Sequence, residues 1–210
     1  MDLKNTRINY NKSEINFDNI CDSPIDFFRQ WLNDAFENNC LEPNSFVLST
    51  VENKTPTSRV VLLKSVDKEG FIFYTNYDSN KSRHILTNNN VALNFFWPKL
   101  EKQVRITGFA SKINASVSDD YFSSRPRESQ FGAILSDQSK KIEYNYDFNS
   151  KLNIIKKEYE NKEITRPQNW GGFKVVPQKM EFWQGRPSRL HDRLLYELKK
   201  NRWQKSRLSP

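Results

Sequence analysis

Hydrophobic residues along this 210-residue chain recur with two different periods. Between residues 23 and 39, Phe27, Phe28, Trp31, Leu32, Ala35 and Phe36 fall three or four apart, which places them on one face of a helix. Ser23 and Pro24 head the run, a hydroxyl N-cap followed by a proline at the first helical position, where its missing N–H costs nothing. From residue 45 the period shortens. Segments 45–51 (SFVLSTV), 57–66 (TSRVVLLKSV) and 70–76 (GFIFYTN) are rich in β-branched and aromatic residues and predict strands. DKEG between the last two predicts a hairpin. Segments 91–97 and 102–113 predict a second strand pair around PKLE. DSNKSRHILTNN, between the pairs, predicts a short helix. Residues 116–135 predict two short helices broken at Pro126, and 150–163 a charged amphipathic helix. Residues 171–184 and the stretch from Asp192 onward return to strands.

Short strands joined by hairpins, with a few helices between them, point to a mainly β, α+β chain built as an antiparallel barrel. A βαβ sheet would need regular alternation that is absent here. The first 22 residues carry neither period and are read as an extended arm or lid. No repeat or low-complexity linker divides residues 23–210, which are read as a single domain.

Composition narrows the function classes. Aromatic residues make up 13% of the chain, which excludes a disordered protein despite only 36% hydrophobic content. The 33 Lys and Arg against 25 Asp and Glu leave a net charge of +8, which favours anionic partners. The cations are scattered, with no run of five, so a nucleic-acid-binding tail is not expected. Cys21 and Cys40 lack CxxC spacing and predict neither a disulfide framework nor a metal site. The N-terminus lacks the apolar core of a signal peptide, and no window approaches the roughly 18 apolar residues of a membrane span. A cytoplasmic protein with reduced thiols is expected, bound to neither membrane nor nucleic acid.

Several short stretches carry candidate chemistry. In RVVLLK, strand alternation puts Arg59, Val61 and Leu63 on one face, and Val60, Leu62 and Lys64 on the other. Each face has a cation at one end of an apolar stripe, which suits an anion or, equally, a solvated strand end. Tyr121, Arg125 and Ser129 are spaced by four, so a helix would gather a phenol, a guanidinium and a hydroxyl into a phosphate cradle, though Pro126 interrupts it. Trp170 precedes Gly171 and Gly172 in NWGGF, a flat ring beside backbone that permits close approach. Gln103, Gln138 and Ser139 offer polar groups for the edge of a heteroaromatic ring. In SRLHDR, a strand would put Arg189, His191 and Arg193 on one face, with Asp192 free to pair with a cation behind. Two neighbouring guanidiniums would lower the His191 pKa and keep the ring neutral.

RVVLLK, FYTN, SRPRESQ, NWGGF, EFWQGRPSRLHDR and the terminal RLSP, in this order, closely resemble the pyridoxamine (pyridoxine) 5′-phosphate oxidase family. The resemblance runs from about residue 7 to residue 210. It implies a split β-barrel binding FMN at a homodimer interface. It implies oxidation of pyridoxamine or pyridoxine 5′-phosphate to pyridoxal 5′-phosphate, with O2 reoxidising the flavin and yielding hydrogen peroxide. Matched by position, it implies a flavin site of Arg59, Val60, Val61, Leu62, Leu63, Lys64, Tyr74, Thr75, Asn80, Lys81, Gln103, Gln138, Ser139, Trp170 and Arg193. It implies a substrate phosphate site of Lys64, Tyr121, Arg125 and Ser129. Arg189, Leu190 and His191 would face the substrate ring, with Arg189 orienting it and His191 bonding a substituent or accepting a proton. Arg7, Ile8, Asn9 and Tyr10 match an R-x-x-Y that closes over the substrate. The family commonly has Arg-Lys where this chain has Asn80-Lys81, so weaker or more salt-sensitive FMN binding is expected. The rivals are a split-barrel flavoprotein with another substrate, a flavin or pyridoxal-phosphate carrier without turnover, and a basic nucleic-acid-binding barrel. Convergence of Lys64, Tyr121, Arg125 and Ser129 separates the first rival from the family reading.

Overall fold

The structure, a computed structural model, describes residues 1–210. Its helices are α1 (Pro24–Glu37), α2 (Asn80–Thr87), α3 (Ala115–Ser124), α4 (Arg127–Leu135) and α5 (Phe148–Glu158). Its strands are β1 (Ser45–Glu52), β2 (Thr55–Leu62), β3 (Ser65–Val66), β4 (Phe71–Asn76), β5 (Asn90–Trp97), β6 (Lys102–Lys112), β7 (Trp170–Gln184), β8 (Asp192–Lys199) and β9 (Arg202–Arg207). They form one sheet in the order β2-β1-β5-β6-β7-β4-β3, with β8 added to β7 and β9 to β8. Every pairing is antiparallel. No helix is long and apolar enough to cross a membrane.

The curled sheet closes over an aromatic core to which Phe46, Phe73, Phe95, Phe173 and Phe182 each contribute a fully buried ring. The helix α1 starts as expected, with Ser23 Oγ accepting from the Asp26 N–H at 3.2 Å. It lays Phe28 into the core between Phe71 and Phe95, with ring centroids 5.0 and 4.9 Å away. Phe36, expected on the same face, is 51% exposed in the last turn of α1.

The expected 57–66 strand is two strands. β2 pairs with β1, β3 pairs with β4, and the chain changes partner at Leu63 and Lys64. The Leu63 N–H bonds Asn44 O at 2.8 Å, and the Lys64 N–H bonds Ile72 O at 2.9 Å. Burial of the Leu63 side chain in the core fixes this crossing. The expected hairpin around DKEG therefore involves only β3 and β4. α5 spans 148–158 rather than 150–163: Asp147 caps its start, accepting from the Ser150 N–H at 3.0 Å, and the helix ends at Tyr159.

The first 22 residues lie outside every element yet are tied down. The Lys12 N–H donates to Glu101 Oε2 at 2.9 Å, the Ile15 N–H donates to Asp192 Oδ2 at 3.3 Å, and Ile15 is buried in the core. Asp192 also pairs with Arg207 at 2.9 Å, as the sequence suggested it would pair with a cation.

Candidate active site

The crossing from β2 to β3 opens a cleft of about 640 Å³ between the sheet and helices α2, α3 and α4. Val60, Val61 and Leu62 form its apolar middle, and cations stand at both ends.

At one end, Lys81 projects from the first turn of α2. Its Nζ donates to Gln138 Oε1 at 2.8 Å and to Thr75 Oγ1 and Ser79 Oγ at 3.1 Å each. No carboxylate pairs with it. Burial, and then the charge of Arg59, push its pKa down to about 8. Arg59 does not line the cleft. Its guanidinium lies beneath, donating to Thr50 Oγ1 at 2.7 Å and to Thr57 Oγ1 at 2.8 Å, with no acidic partner. Two desolvated cations without a counter-ion at a helix N-terminus are what an anion would complete. Ser139 stands beside them, its Oγ accepting from the Asn80 N–H at 3.3 Å. The Asn80 side chain turns outward and accepts from Arg83 Nη2 at 2.5 Å. Arg83 thus restores, one turn on, a cation beside the position where the resemblance implies an arginine. Nothing in the sequence reading had singled it out.

At the other end, Lys64, Tyr121, Arg125 and Ser129 all line the cleft. Arg125 follows α3 in extended conformation (ψ 147°), as its place before Pro126 requires. The break does not spoil the cradle, because α4 restarts at once and turns Ser129 back toward it. The guanidinium lies 4.6 Å from the Trp170 ring centroid, and its Nη1 is buried with no hydrogen-bond partner. Burial lowers its pKa, partly offset by Tyr121. Tyr74 and Tyr121 stack at 3.9 Å, with Trp170 parallel to Tyr74 at 5.5 Å, so these rings form a stiff wall.

The remaining expected residues are not brought to this cleft by a single chain. Leu63 is buried in the core. Arg7, Ile8, Asn9 and Tyr10 line a second cleft of about 550 Å³ with Arg186, Arg189 and His191. The strand expected through Arg189 and His191 is instead a short 3₁₀ turn at Pro187–Arg189, and β8 begins only at Asp192. Pro187 has no N–H to give a ladder, and Ser188 and Arg189 adopt left-handed φ of 57° and 60°. Leu190 is 67% exposed at the rim of this turn. His191 packs on Trp183 at 4.7 Å and Tyr10 at 5.7 Å. Its pKa is lowered first by burial and then by Arg189; Arg193, which the sequence placed beside it, takes no part. His191 Nδ1 accepts from the Arg186 N–H at 3.1 Å. The neutral ring therefore carries its hydrogen on Nε2, as a donor.

Gln103, Trp183 and Arg193 stand in one row across β6, β7 and β8. Arg193 is held by the buried Glu181 at 2.9 Å, and Glu181 also pairs with Arg105. Trp183 is given no role by the sequence, although its place in FWQ two residues from Glu181 sets both on the same face of β7. Alternation along β7 was the signal available for it.

Two family models match the chain. Residues 32–150 match the one described as pyridoxamine 5′-phosphate oxidase, and residues 170–210 the one described as the pyridoxine 5′-phosphate oxidase C-terminal dimerisation region. A pyridoxine/pyridoxamine 5′-phosphate oxidase of Haemophilus ducreyi is 47% identical over 210 residues, covering 100% of each chain. One from Leptospira biflexa is 46% identical over 100% of this chain and 99% of its own. Among solved structures, PhzG from Burkholderia lata, in complex with tetrahydrophenazine-1-carboxylic acid, superposes with a TM-score of 0.86 at 27% identity, covering 95% of this chain and 100% of its own. An FMN-binding protein of Nostoc punctiforme shares the fold, with a TM-score of 0.71 at 14% identity over 87% of this chain and 97% of its own. With the matched regions spanning the cleft and the Arg189–His191 turn alike, the chain belongs to the pyridoxamine 5′-phosphate oxidase family.

Proposed function

We propose that this chain is an FMN-dependent oxidase that converts pyridoxamine 5′-phosphate or pyridoxine 5′-phosphate to pyridoxal 5′-phosphate with O2 as acceptor. Hydrogen peroxide is released, and ammonia as well from the amine. The observation that carries the reading is a cleft with cations at both ends of an apolar floor, an arrangement that fits a flavin phosphate at one end and a substrate phosphate at the other. The buried, unpartnered Nη1 of Arg125 and the carboxylate-free pair Lys81 and Arg59 fit these two anions.

Lys81, Arg59, Ser139 and the N-terminus of α2 would hold the flavin phosphate, with Gln138 and Thr75 orienting the Lys81 ammonium. Val60, Val61 and Leu62 would support the ring. The redox chemistry, hydride removal from the substrate and electron delivery to O2, would be supplied by FMN held there. Arg125, Lys64, Tyr121 and Ser129 fix the substrate phosphate, so that the reacting carbon is held in place and the entropy of alignment is met in binding. Arg189 would lie over the substrate ring, and His191 Nε2–H would donate to a ring substituent.

These last two residues, with Gln103 and Arg193, stand away from the cleft of their own chain. A homodimer formed through residues 170–210 would let one copy's Arg189–His191 turn and Arg7–Tyr10 segment close over the other copy's cleft. In this reading, residues 1–22 act as a lid and 23–210 as one unit, with the enzyme working in the cytoplasm. Two free cysteines are consistent with that compartment.

The test is a visible spectrum of the FMN-loaded protein taken anaerobically before and after pyridoxamine 5′-phosphate. Bleaching that reverses in air supports the reading. A spectrum that never bleaches rejects the substrate and favours another split-barrel flavoprotein activity.

A further inference from the structure

Behind the cleft, under Arg59, lies an ordered polar cluster that the proposed chemistry does not use. His84 on α2 is 3% exposed and Thr50 on β1 is fully buried. Thr50 and Thr57 are direct partners across β1 and β2, so their hydroxyls meet at 3.3 Å. His84 Nδ1 lies 3.1 Å from Thr50 Oγ1 and 3.3 Å from Thr57 Oγ1, and its Nε2 lies 3.1 Å from Glu52 Oε2.

Counting donors and acceptors gives this cluster a direction. Arginine can only donate, and Arg59 gives one N–H to each threonine oxygen. Each hydroxyl then has its own hydrogen to place. Both arrangements that satisfy them end alike: one threonine O–H donates to the other threonine's Oγ1, and that second threonine's O–H donates to His84 Nδ1. Nδ1 must then be bare, so the ring hydrogen sits on Nε2 and donates to Glu52. The opposite tautomer would point an N–H at hydroxyls that already accept from Arg59 and leave a bare Nε2 facing the Glu52 carboxylate oxygen, acceptor against acceptor.

We infer that His84 is a positioning residue for the flavin phosphate site: through the hydroxyls of Thr50 and Thr57 it sets the direction of the Arg59 guanidinium. The inference rests on the reading that Arg59 serves that phosphate. Because His84 and Lys81 share α2, the same linkage ties the two cations to each other. Lys81 approaches from the helix and Arg59 from the sheet, and the histidine joins helix to sheet at the level of both. Glu52 completes the chain from the protein surface, where its side chain is half-exposed.

The test compares FMN with riboflavin, which has the same ring system and no phosphate, by quenching of flavin fluorescence. His84→Leu is expected to weaken FMN about tenfold, as loss of one oriented charge-assisted bond does, while riboflavin stays within about twofold. His84→Gln, whose amide oxygen can replace Nδ1 and whose NH2 can reach Glu52, should restore FMN to within about threefold of wild type. Equal weakening of both ligands in His84→Leu, or a Gln variant as poor as Leu, would overturn the inference. Arg59→Met is the control for the underlying reading. If it leaves the FMN-to-riboflavin ratio unchanged, Arg59 does not serve the phosphate. If it changes the ratio while His84→Leu does not, only the role of His84 is wrong. Should His84→Leu not fold, the ring itself decides. The chain has only two histidines, so ¹⁵N spectra of wild type resolve them readily. A neutral Nε2–H ring at His84 with hydrogen-bonded Nδ1 supports the linkage, and an Nδ1–H ring refutes it.

Discussion

Arg125→Met separates the substrate phosphate site from everything around it. Methionine keeps much of the aliphatic bulk against Trp170 and Phe122 but removes the guanidinium. In the free protein Nη1 is buried and makes no hydrogen bond, so it has been desolvated without compensation. A phosphate supplies the missing acceptor. A charge-assisted hydrogen bond contributes about 1.5–3 kcal/mol, and a fork to one phosphate makes two at the lower end of that range, about 3 kcal/mol. That is about a 100-fold loss of kcat/KM for pyridoxamine 5′-phosphate. The loss should be mostly in KM, since the phosphate is held alike in ground and transition states. With pyridoxamine, which has no phosphate, the variant and wild type should differ by less than about threefold on the same argument. Stability should move the other way: removing an unsatisfied buried donor leaves the urea midpoint unchanged or raised. Steady-state kinetics on both substrates and a urea titration make the comparison. Equal losses on the two substrates, or a variant that is both unstable and inactive, would show that Arg125 supports the fold rather than the phosphate.

Three further outcomes follow from the same geometry. Lys81 titrates at about 8 in the free protein, and an anion bound against it raises that value, so the attraction is complete below pH 8 and fades as pH rises above it. FMN should bind about tenfold more weakly at pH 9.5 than at pH 7 by fluorescence titration. Lys81→Met should flatten that profile, and an unchanged slope in the variant would assign the effect elsewhere. Burial pushes the Glu181 pKa up, but hydrogen bonds from Arg193 and Arg105 overcome this and hold the carboxyl below its usual range. Glu181→Leu should cost about 2 kcal/mol, less than for a fully enclosed pair because both arginines reach solvent, and lower Tm by about 4–8 °C in calorimetry. Gly70 lies where an added Cβ would run into the Val175 carbonyl of β7, so Gly70→Ala should lower the urea midpoint by the equivalent of about 2–3 kcal/mol. A neutral result there would mean that the β4–β7 seam shifts freely.

Much of the architecture was legible where a local rule sufficed. Ser23 and Pro24 announced α1, and Pro126 announced the break between α3 and α4. Alternating apolar residues marked β1, β5, β6 and β7, and the antiparallel barrel followed from their short connections. Tyr121, Arg125 and Ser129 stand out by residue type and spacing, the family resemblance adds Lys64, and the fold gathers all four in one cleft. Where the sequence misled, the deciding term was long-range. Residues 57–66 have strand character throughout, and nothing local says that the chain leaves β1 for β4 at Leu63; the burial of that side chain does. Strand alternation set Arg59 at the end of an apolar stripe, but only the fold shows two hydroxyls from neighbouring strands and a helix histidine fixing where its guanidinium points. SRLHDR reads as a strand by alternation, but Pro187 and two left-handed residues turn it, and the Arg186 N–H then decides which His191 nitrogen bears the hydrogen. The sequence alone determined the periods, the caps and the supply of cations, because each depends on residues a turn or a strand apart. Only the tertiary structure decided which cations lose water together and which tautomers their neighbours allow, because desolvation and hydrogen-bond direction depend on groups far apart in the chain.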